Sequence, residues 1–507
     1  MIPDANARAL YTAGQARLID RQATDRCGIG GFTLMQRAAE AAFASLRRRW
    51  PNARHLCVTA GPGNNGGDAF LLASFALRAG FAVDLFALSD KADGDAALAR
   101  EAFRAAGGTI MPLTVESSPE KADVHVDGLF GTGLRRGVEG AASVLIERLN
   151  SSKRPILALD VPSGLDADAG ASLGPVVRAS ATVSFIAWKR GLFTGAAVDC
   201  CGELELAPLD VPTVAFEGIE ADAHLIDSTI SGLLPPRLKD SNKGRFGHVL
   251  VVGGDAGMGG AVRLTGEAAL RAGAGLVSIA TRASHVTALN AARPELMAHG
   301  CDDPQTLAPR MDRANVVALG PGLGTGAWGH ALWETVLGRE ETSRDRAFVL
   351  DADALNLLAR QPRTLPANAV LTPHPGEAAR LLGCDVAEIQ RDRFAAVRAL
   401  AKNHAAVVVL KGAGSLIADP SGRVALCRWG NPGMASAGMG DVLTGVIAAL
   451  LAQGLSSWEA ASLGVAMHAR AGDLAAGFTP RGLVASDLFA SLRRLANGFP
   501  EDDCGSV

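Results

Sequence analysis

The sequence is short of the residues that mark several common classes of binding protein. Only 5% of its 507 residues are aromatic, with a single tyrosine, and the formal net charge is -3. Proteins that bind nucleic acid need a basic surface, and single-strand binders also need aromatic platforms, so nucleic acid is not an expected partner. The eight cysteines are scattered and form no C-x-x-C pair. We therefore expect neither zinc nor a disulfide framework, and a reducing compartment.

Long apolar runs are missing too. No segment is apolar over a bilayer-spanning length, and the first residues show no basic region followed by an apolar stretch. We expect no membrane partner and a cytoplasmic location. What the chain does have is 48% hydrophobic residues over 507 positions, which is enough for two separate cores.

Short runs rich in Val, Leu and Ala alternate with longer amphipathic segments. This alternation is typical of parallel strands covered by helices on both faces, so the predicted fold class is α/β in both halves. Strands are predicted at residues 54–60, 81–87, 124–127, 156–160 and 181–187, and at 248–253, 276–280, 315–319, 347–351, 369–372 and 406–410. Helices are predicted at residues 68–79, 93–106 and 139–150, and across 435–496.

A proline-containing segment with little periodicity, Leu209 to Gly247, separates the two halves. Segments of this kind connect domains. We therefore predict an N-terminal domain of residues 1–218 and a C-terminal domain of residues 219–507.

Three polar segments follow predicted strands in the first half. They are Gly61 to Asp68, Asp127 to Gly137, and Asp160 to Gly164. Ligands of open parallel sheets bind beyond the carboxyl ends of the strands, and free N–H groups at a helix start attract phosphate. Each polar side chain alone could simply cap a helix. Together the three segments predict one ligand pocket.

Four motifs in this half, namely Asn-Asn-Gly-Gly-Asp, Gly-Thr-Gly-x-x-Arg-Gly, Asp-x-Pro-Ser-Gly-Leu-Asp and Phe-Ile-Ala-Trp-Lys-Arg-Gly-Leu, resemble the NAD(P)HX epimerase domain. The resemblance runs from about residue 10 to 214 and implies a Rossmann-like α/β/α sandwich that interconverts R and S configurations at C6 of the hydrated nicotinamide ring. It implies that NAD(P)HX is bound by Asn64, Asn65, Gly66, Gly67, Asp68, Gly131, Thr132, Gly133, Leu134, Arg135, Arg136, Gly137 and Asp160. It also implies a potassium ion at Asn65, Asp127 and Ser163, whose oxygen atoms suit a hard cation.

Asp160 is the predicted catalytic residue of this half, because a carboxylate can carry the protons that epimerisation moves. Lys189 could stabilise developing negative charge. A lysine near a strand end is usually solvated, however, so Lys189 is given little weight and its role is left open. The chain has Ala69 where the family often has Gly. This departure removes no predicted ligand.

The second half has its own series of polar strand ends, the most specific of which is Asn431 to Gly445. Small residues there lead into an apolar helix. Clustered N–H groups at such a start can hold a transferring phosphoryl group, and Asp441 can accept the proton of an attacking hydroxyl. The alternative is that Asp441 only caps the helix. The glycine loop after residue 252 matches neither the Rossmann nor the P-loop spacing.

The motifs Gly-Pro-Gly-Leu-Gly, Asp-x-Asp-Ala-Leu, Thr-Pro-His-Pro-Gly-Glu, Lys-Gly-Ala-Gly-Ser and Ala-Gly-Met-Gly-Asp-Val-Leu resemble the ribokinase-like fold, and in particular the ADP- or ATP-dependent NAD(P)HX dehydratase. The resemblance spans about residues 224 to 497. It implies substrate contacts at Ala261, Gly322, Gly324, His374 and Asp441. It implies contacts to the AMP moiety at Lys411, Gly412, Ala413, Gly414, Ser415 and Gly440.

The resemblance implies that phosphorylation of the C6 hydroxyl makes it a leaving group and that elimination restores NADH or NADPH. Asp441 would be the base, with Mg²⁺ on the phosphates and ADP as donor, giving AMP and phosphate. Two alternatives stay open: a small-molecule hydroxyl kinase with an N-terminal nucleotide-binding domain, and a nucleotide sensor without turnover. The fused epimerase domain favours repair over the kinase, and the two carboxylates favour an enzyme over a sensor. We also expect a homo-oligomer.

Overall fold

A computed structural model describes residues 8–117, 122–338 and 346–499. These residues form two compact units that divide between His224 and Leu225. The predicted bounds of the two functional domains, residues 1–218 and 219–507, stay a prediction. Among the described helices, none is both long and apolar enough to cross a membrane.

The first unit contains ten strands and six α-helices among the described residues. The strands are β1 (Ala9–Tyr11), β2 (His55–Ala60), β3 (Ala82–Ala87), β4 (Ile110–Pro112), β5 (Val124–Gly128), β6 (Ile156–Leu159), β7 (Ala181–Phe185), β8 (Trp188–Lys189), β9 (Glu203–Ala207) and β10 (Ala223–Leu225), the last of which spans the division. The helices are α1 (Ala13–Cys27), α2 (Gly31–Arg49), α3 (Asn64–Arg78), α4 (Gly94–Ala105), α5 (Gly140–Ser151) and α6 (Ala197–Cys200), with 3-10 turns at Arg190–Phe193 and Thr213–Phe216.

Seven of these strands form a parallel sheet in the order β4-β3-β2-β5-β6-β7-β9. Leu56 and Val58 of β2 pack in one apolar cluster, and Cys57 between them packs in another. Neighbouring side chains of a strand point to opposite faces, so both faces of this sheet are covered. The chain reverses direction across the sheet between β2 and β5, where ligands of such folds bind.

The second unit is built from nine further strands. They are β11 (His248–Val252), β12 (Leu276–Thr281), β13 (Met297–Gly300), β14 (Val316–Leu319), β15 (Ala347–Leu350), β16 (Ala369–Leu371), β17 (Val407–Leu410), β18 (Ser415–Ala418) and β19 (Val424–Cys427). Their order is β13-β12-β11-β14-β15-β16-β17-β18-β19. The first seven are parallel, and the last two add an antiparallel edge. The reversal of winding lies between β11 and β14.

Helices of the second unit follow most of these strands. They are α7 (Gly259–Arg271), α8 (Val286–Ala292), α9 (Ala308–Met311), α10 (Ala327–Leu337), α11 (Asp353–Arg360), α12 (Pro375–Leu382), α13 (Val386–Arg391), α14 (Arg393–His404), α15 (Met439–Ala452), α16 (Ser457–Ala476) and α17 (Leu488–Leu495). The 3-10 turns are Ser228–Leu233, Lys243–Phe246, Ala283–His285, Pro304–Thr306, Pro432–Met434 and Ala485–Asp487. Helix α15 is almost entirely buried, since it packs against α7, α16 and strands β11, β14 and β15.

The α/β fold class is confirmed in both units, and every predicted strand is present to within two residues at each end. Some elements were not predicted, among them helices α1 and α2, the edge strands β4, β9 and β13, and the antiparallel strands β18 and β19. The predicted start of the helix at residue 68 is wrong, because α3 begins at Asn64. Its first turn contains Gly66 and Gly67, which disfavour a helix locally but allow close packing here.

Candidate functional sites

The ligand-binding edge of the first unit lies where β2 and β5 end side by side. The N–H of Gly61 donates to the carbonyl of Gly128 at 3.0 Å, so the loops after the two strands are joined. A Cβ on Gly61 would overlap the carbonyl oxygen of Leu129, and one on Gly66 would overlap that of Gly61. These positions require glycine because backbone meets backbone.

A cavity of about 940 Å³ opens at this edge. The three predicted segments all contribute to it, so the predicted convergence is confirmed. The predicted residues that line the cavity are Asn64, Asn65, Asp68, Gly131, Thr132, Gly133, Leu134, Arg135, Arg136 and Asp160. Gly66 and Gly67 are buried in the first turn of α3, where Gly67 packs on Met35, and they serve the packing of the cavity wall.

The floor of the cavity carries a buried ion pair between Lys189 and Asp160. The Lys189 side chain is 3% exposed and that of Asp160 is 14% exposed. The ammonium donates to Asp160 Oδ1, to the carbonyl of Phe185 at 2.8 Å and to Ser184 Oγ at 3.2 Å. The expectation that Lys189 is solvated is therefore wrong. Lys189 lies in the two-residue strand β8, which contacts β7, and sequence spacing alone did not reveal this placement.

Asp160 itself follows β6 with a backbone φ of 63°. A left-handed conformation is unfavourable for a residue with a Cβ and is found where the surroundings enforce it, often at functional sites. Here the Asp160 N–H donates to the carbonyl of Val183 at 2.8 Å, and Oδ1 accepts the N–H of Phe185 at 3.2 Å. The neighbouring strand thus fixes the direction of the carboxylate.

A second carboxyl, that of Asp68, lines the same cavity from α3. Asp68 is only 8% exposed. Burial raises the pKa of Asp68 well above its ordinary value, and the negative charges of Asp160 and Asp20 raise it further. The site therefore combines a carboxylate held by a lysine with a carboxyl group whose charged form is disfavoured.

The three residues implied as potassium ligands lie in adjacent segments. Ser163 Oγ donates to Asp127 Oδ1 at 2.6 Å, and the Ser163 N–H donates to Asp127 Oδ2 at 2.8 Å. Burial raises the pKa of Asp127 to about 6. The amide of Asn65 is buried, and neither its oxygen nor its nitrogen has a hydrogen-bond partner. The backbone of Asn65 lies against Gly128, which follows Asp127, since a Cβ on Gly128 would be 2.9 Å from the Asn65 carbonyl oxygen. An orphaned amide oxygen, a carboxylate and a hydroxyl on these segments fit a hard cation, since all three offer oxygen donors.

In the second unit the loops after β11 and β14 interlock at the reversal of winding. The N–H of Asp255 donates to the carbonyl of Gly322 at 2.6 Å. A Cβ on Gly322, whose φ is 56°, would lie 3.2 Å from the Cβ of Ala261. The structure thus brings together Ala261 and the Gly320–Gly324 loop, as predicted. Gly324 is held by its N–H, which donates to Asp353 at 2.9 Å.

Asp351 connects four elements of the second unit, namely the ends of β15, β16 and β17 and helix α15. It is 1% exposed and accepts hydrogen bonds from Lys411 Nζ and from Thr444 Oγ1, each at 2.8 Å. Thr372 also bonds to it. Lys411 Nζ lies 3.8 Å from Glu377 Oε2 as well. Lys411 is thus held between two carboxylates, which raises its pKa against the opposing effect of burial.

Asp441 lies in the first turn of α15, and the N-cap of that helix is Gly438. The alternative that Asp441 is merely the cap is therefore wrong. Burial and the nearby charge of Asp351 raise the pKa of Asp441 to about 7, while Lys411 opposes the shift. A carboxyl group with a pKa near neutrality can accept and release protons under physiological conditions.

The remaining predicted residues surround this cluster. A Cβ on Gly440 would lie 3.3 Å from Lys411 Nζ, so this glycine lets the helix start approach the lysine. Gly412 and Gly414, with φ of 138° and 64°, form the turn that ends at Ser415. His374 caps α12, since its Nδ1 accepts the N–H of Gly376 at 2.9 Å. That acceptor role requires the neutral ring, in agreement with a lowered pKa of His374 that burial causes.

Comparison with known proteins supports this division. A family model described as NAD(P)H-hydrate dehydratase matches residues 249–494, and one described as YjeF-related protein N-terminus matches residues 31–191. A bifunctional NAD(P)H-hydrate repair enzyme of Coxiella burnetii is 46% identical over 96% of this chain and 99% of its own length. The Escherichia coli protein of the same description is 45% identical over 98% of this chain and 95% of its own.

The chain belongs to the bifunctional NAD(P)H-hydrate repair enzymes. The family resemblance predicted from the motifs is confirmed, and with it an enzyme rather than a sensor. A ribokinase-like superfamily protein of Enterococcus faecalis matches in structure with a TM-score of 0.51 and 28% identity, covering 54% of this chain and 95% of that one. The ribokinase-like fold of the second unit is confirmed in this way.

Several residues at these sites were missed by sequence reasoning. The largest omission is α1, which lines the cavity with Arg17, Asp20 and Arg21 among others. A capping box at Thr12 and Gln15 marks the start of that helix and could have revealed it. Sequence reasoning noticed Asp351 only as part of a motif. The structure buries it and bonds it to Lys411 and Thr444, at the centre of the second site.

Proposed function

We propose that this enzyme repairs hydrated NADH and NADPH in two steps. The first unit interconverts R- and S-NAD(P)HX, and the second dehydrates S-NAD(P)HX at the expense of ADP. The observation that carries the proposal is the pair of carboxylates, Asp160 and Asp441, each near a lysine at the ligand-binding edge of its own sheet. A kinase for an unrelated hydroxyl would leave the first of these sites without a role.

In the first unit we assign the hydrated nicotinamide ring to the floor of the cavity. Asp160 would accept the proton of the C6 hydroxyl as the C6–N1 bond opens to an aldehyde, with N1 taking up a proton, and would return the proton when N1 closes on the other face. Its carboxylate faces the cavity and is oriented by the neighbouring strand. Lys189 would hold that carboxylate in place. Asp68, whose charged form is disfavoured, would donate a hydrogen bond to the ring substituents.

Asn65, Asp127 and Ser163 would hold the potassium ion. A bound cation there would supply a fixed positive charge beside the loops that contact the substrate phosphates. The chain's own contribution is the orientation of three oxygen donors by β5, α3 and the loop after β6.

In the second unit the C6 hydroxyl would attack the terminal phosphate of ADP while Asp441 accepts the hydroxyl proton. AMP leaves, the new phosphate ester is eliminated, and NADH or NADPH is restored with free phosphate. The N–H groups at the start of α15 and the Lys411 ammonium would stabilise the transferring phosphoryl group. Residues 411–415 and Gly440 would contact the AMP moiety. Ala261, Gly322, Gly324 and His374 would contact the dinucleotide.

Mg²⁺ would be bound through the nucleotide phosphates, as it commonly is in phosphoryl transfer, and would neutralise their charge. The residues fit phosphates that carry a divalent ion, since a lysine and a helix start lie beside Asp441. The choice of ADP over ATP remains a proposal. So do the cytoplasmic location and the homo-oligomer.

Recovery of absorbance at 340 nm from a racemic NADHX mixture tests the whole proposal. The purified chain would be supplied with ADP and Mg²⁺, with ATP and Mg²⁺, or with neither. Complete recovery that requires ADP supports both activities and the donor. Recovery of only the S fraction would reject the epimerase assignment, and no recovery with either donor would return the kinase alternative.

A further inference from the structure

Helix α1 lies outside the segment that the N-terminal family model matches, yet it forms one wall of the first cavity. Its cavity-lining residues are Ala16, Arg17, Asp20, Arg21, Thr24 and Asp25. They repeat at intervals of three to four residues, so they form a stripe two residues wide along one side of the helix. The stripe can contact a ligand along its whole length.

The two rows of this stripe differ in depth and in charge. Asp20, in the inner row, is partly buried and interacts electrostatically with Lys189 and Asp160 on the cavity floor. Arg17 and Arg21, in the outer row, are exposed. The cavity therefore has an acidic floor, where we place the reacting ring, and a cationic outer edge.

The loop after β5 adds Arg135 and Arg136 to the cavity lining, both exposed. The Arg17 guanidinium donates to the carbonyl of Thr132 at 3.1 Å, which ties α1 to the loop that carries these two arginines. Arg135 has a distant ion pair with Asp168, at 3.8 Å. Within the described ranges, Arg17, Arg21 and Arg136 have no ion-pair partner, although Asp25 and Asp95 also line the cavity.

Arg17 and Arg21 are four residues apart on a helix, where like charges repel and destabilise the helix. Four guanidinium groups around one opening have the chemistry of a phosphate subsite, since arginine binds phosphate oxygens through paired N–H donors. We propose that Arg17 and Arg21, together with Arg135 and Arg136, bind the phosphate groups of the hydrated dinucleotide. This inference rests on the proposed epimerase function.

The subsite also orients the substrate. A dinucleotide whose phosphates lie at the cationic edge presents its nicotinamide ring to Asp160 and Lys189. Two phosphate sources share this chemistry: the bridging diphosphate of both substrates, and the 2′-phosphate that only NADPHX carries. They predict different substrate dependence and can therefore be separated.

The test is the double variant Arg17→Gln/Arg21→Gln in the full chain, with Arg26→Gln as the matched control. Arg26 is an exposed arginine of the same helix that does not line the cavity. Racemic NADHX and NADPHX are repaired with excess ADP, so a fast phase reports dehydration of the S form and a slow phase reports epimerisation of the R form. The unchanged fast phase shows that the second unit is intact, and a preserved kcat of the slow phase shows that the first unit is folded.

We expect KM of the slow phase to rise roughly tenfold in the double variant, with kcat nearly preserved and the difference shrinking at high salt. An equal rise for both substrates assigns the diphosphate, and a rise for NADPHX alone assigns the 2′-phosphate. A KM within about twofold of wild type for both, as expected for Arg26→Gln, overturns the inference. If the wild-type chain shows no slow phase, the epimerase proposal fails, and calorimetric titration of wild type and double variant with inorganic pyrophosphate decides the subsite separately.

Discussion

Both sites contain a lysine and a catalytic aspartate, but the lysine contacts that aspartate in only one of them. In the first unit Lys189 contacts the reacting carboxylate of Asp160 directly. In the second, Lys411 binds Asp351 at 2.8 Å instead, and burial together with the charge of Asp351 raises the pKa of Asp441 to about 7, while Lys411 opposes the shift. A lysine near a catalytic carboxylate is therefore not enough to define its protonation. In the second site, burial and the charge of Asp351 raise the pKa of Asp441 against the effect of the lysine.

The largest expected effect is the loss of one activity while the other continues. Asp441→Asn should lower dehydration by about 100-fold to 10,000-fold, the usual contribution of a general base, while epimerisation continues. The 340 nm assay with S-NADHX measures the first activity, and chromatographic equilibration of the epimers measures the second. Asp240→Asn, in an exposed loop of the same unit, is the control. Full dehydratase activity in Asp441→Asn would remove the base from the mechanism.

In the first unit Asp160→Asn should cause a loss of the same size in epimerisation alone. Lys189→Met should lower stability by about 3 kcal/mol or more, because it leaves a buried carboxylate without its partner. Combining the two substitutions should restore much of that stability but none of the activity. Denaturant unfolding of the four forms measures this. Equal stability of Lys189→Met and wild type would contradict the buried ion pair.

The raised pKa of Asp441 also predicts a pH-dependent stability. Its folded value is about 7 against an ordinary 3.8, so the folded state loses stability as the pH rises through this interval. At pH 8 the charge on this partly buried carboxylate costs up to roughly 4 kcal/mol. Asp441→Asn should therefore raise Tm at pH 8 and change it little at pH 4. A Tm difference that does not depend on pH would contradict the shift.

The smallest expected effect is a shift in the pH profile of dehydration, and it tests the role of Asp351. Asp351→Asn removes the negative charge that raises the pKa of Asp441 and releases Lys411 toward it. Both changes favour the ionised form, so the acid limb of the dehydratase pH profile should move to lower pH. The conservative variant Asp351→Glu should keep the wild-type limb. No movement in Asp351→Asn would show that burial alone sets the protonation of Asp441.

Much of this protein could be predicted because strong local patterns coincide with its function. The buried parallel strands are short apolar runs, so β2, β5, β11 and β14 were predicted nearly to the residue. Edge strands such as β4 and β13 carry a weaker pattern and were missed. The motif residues were predicted because glycine and carboxylate clusters stand at strand ends, where this architecture binds ligands.

The sequence by itself determined the α/β class, the two halves, the family and the motif residues, because these depend on local periodicity and composition. Only the tertiary structure decided the partners of each charge: that Lys189 is buried against Asp160, that Lys411 belongs to Asp351, and that α1 forms a cavity wall. The reason is physical. Burial and charge pairing depend on contacts between segments far apart in the chain, and no local pattern encodes them.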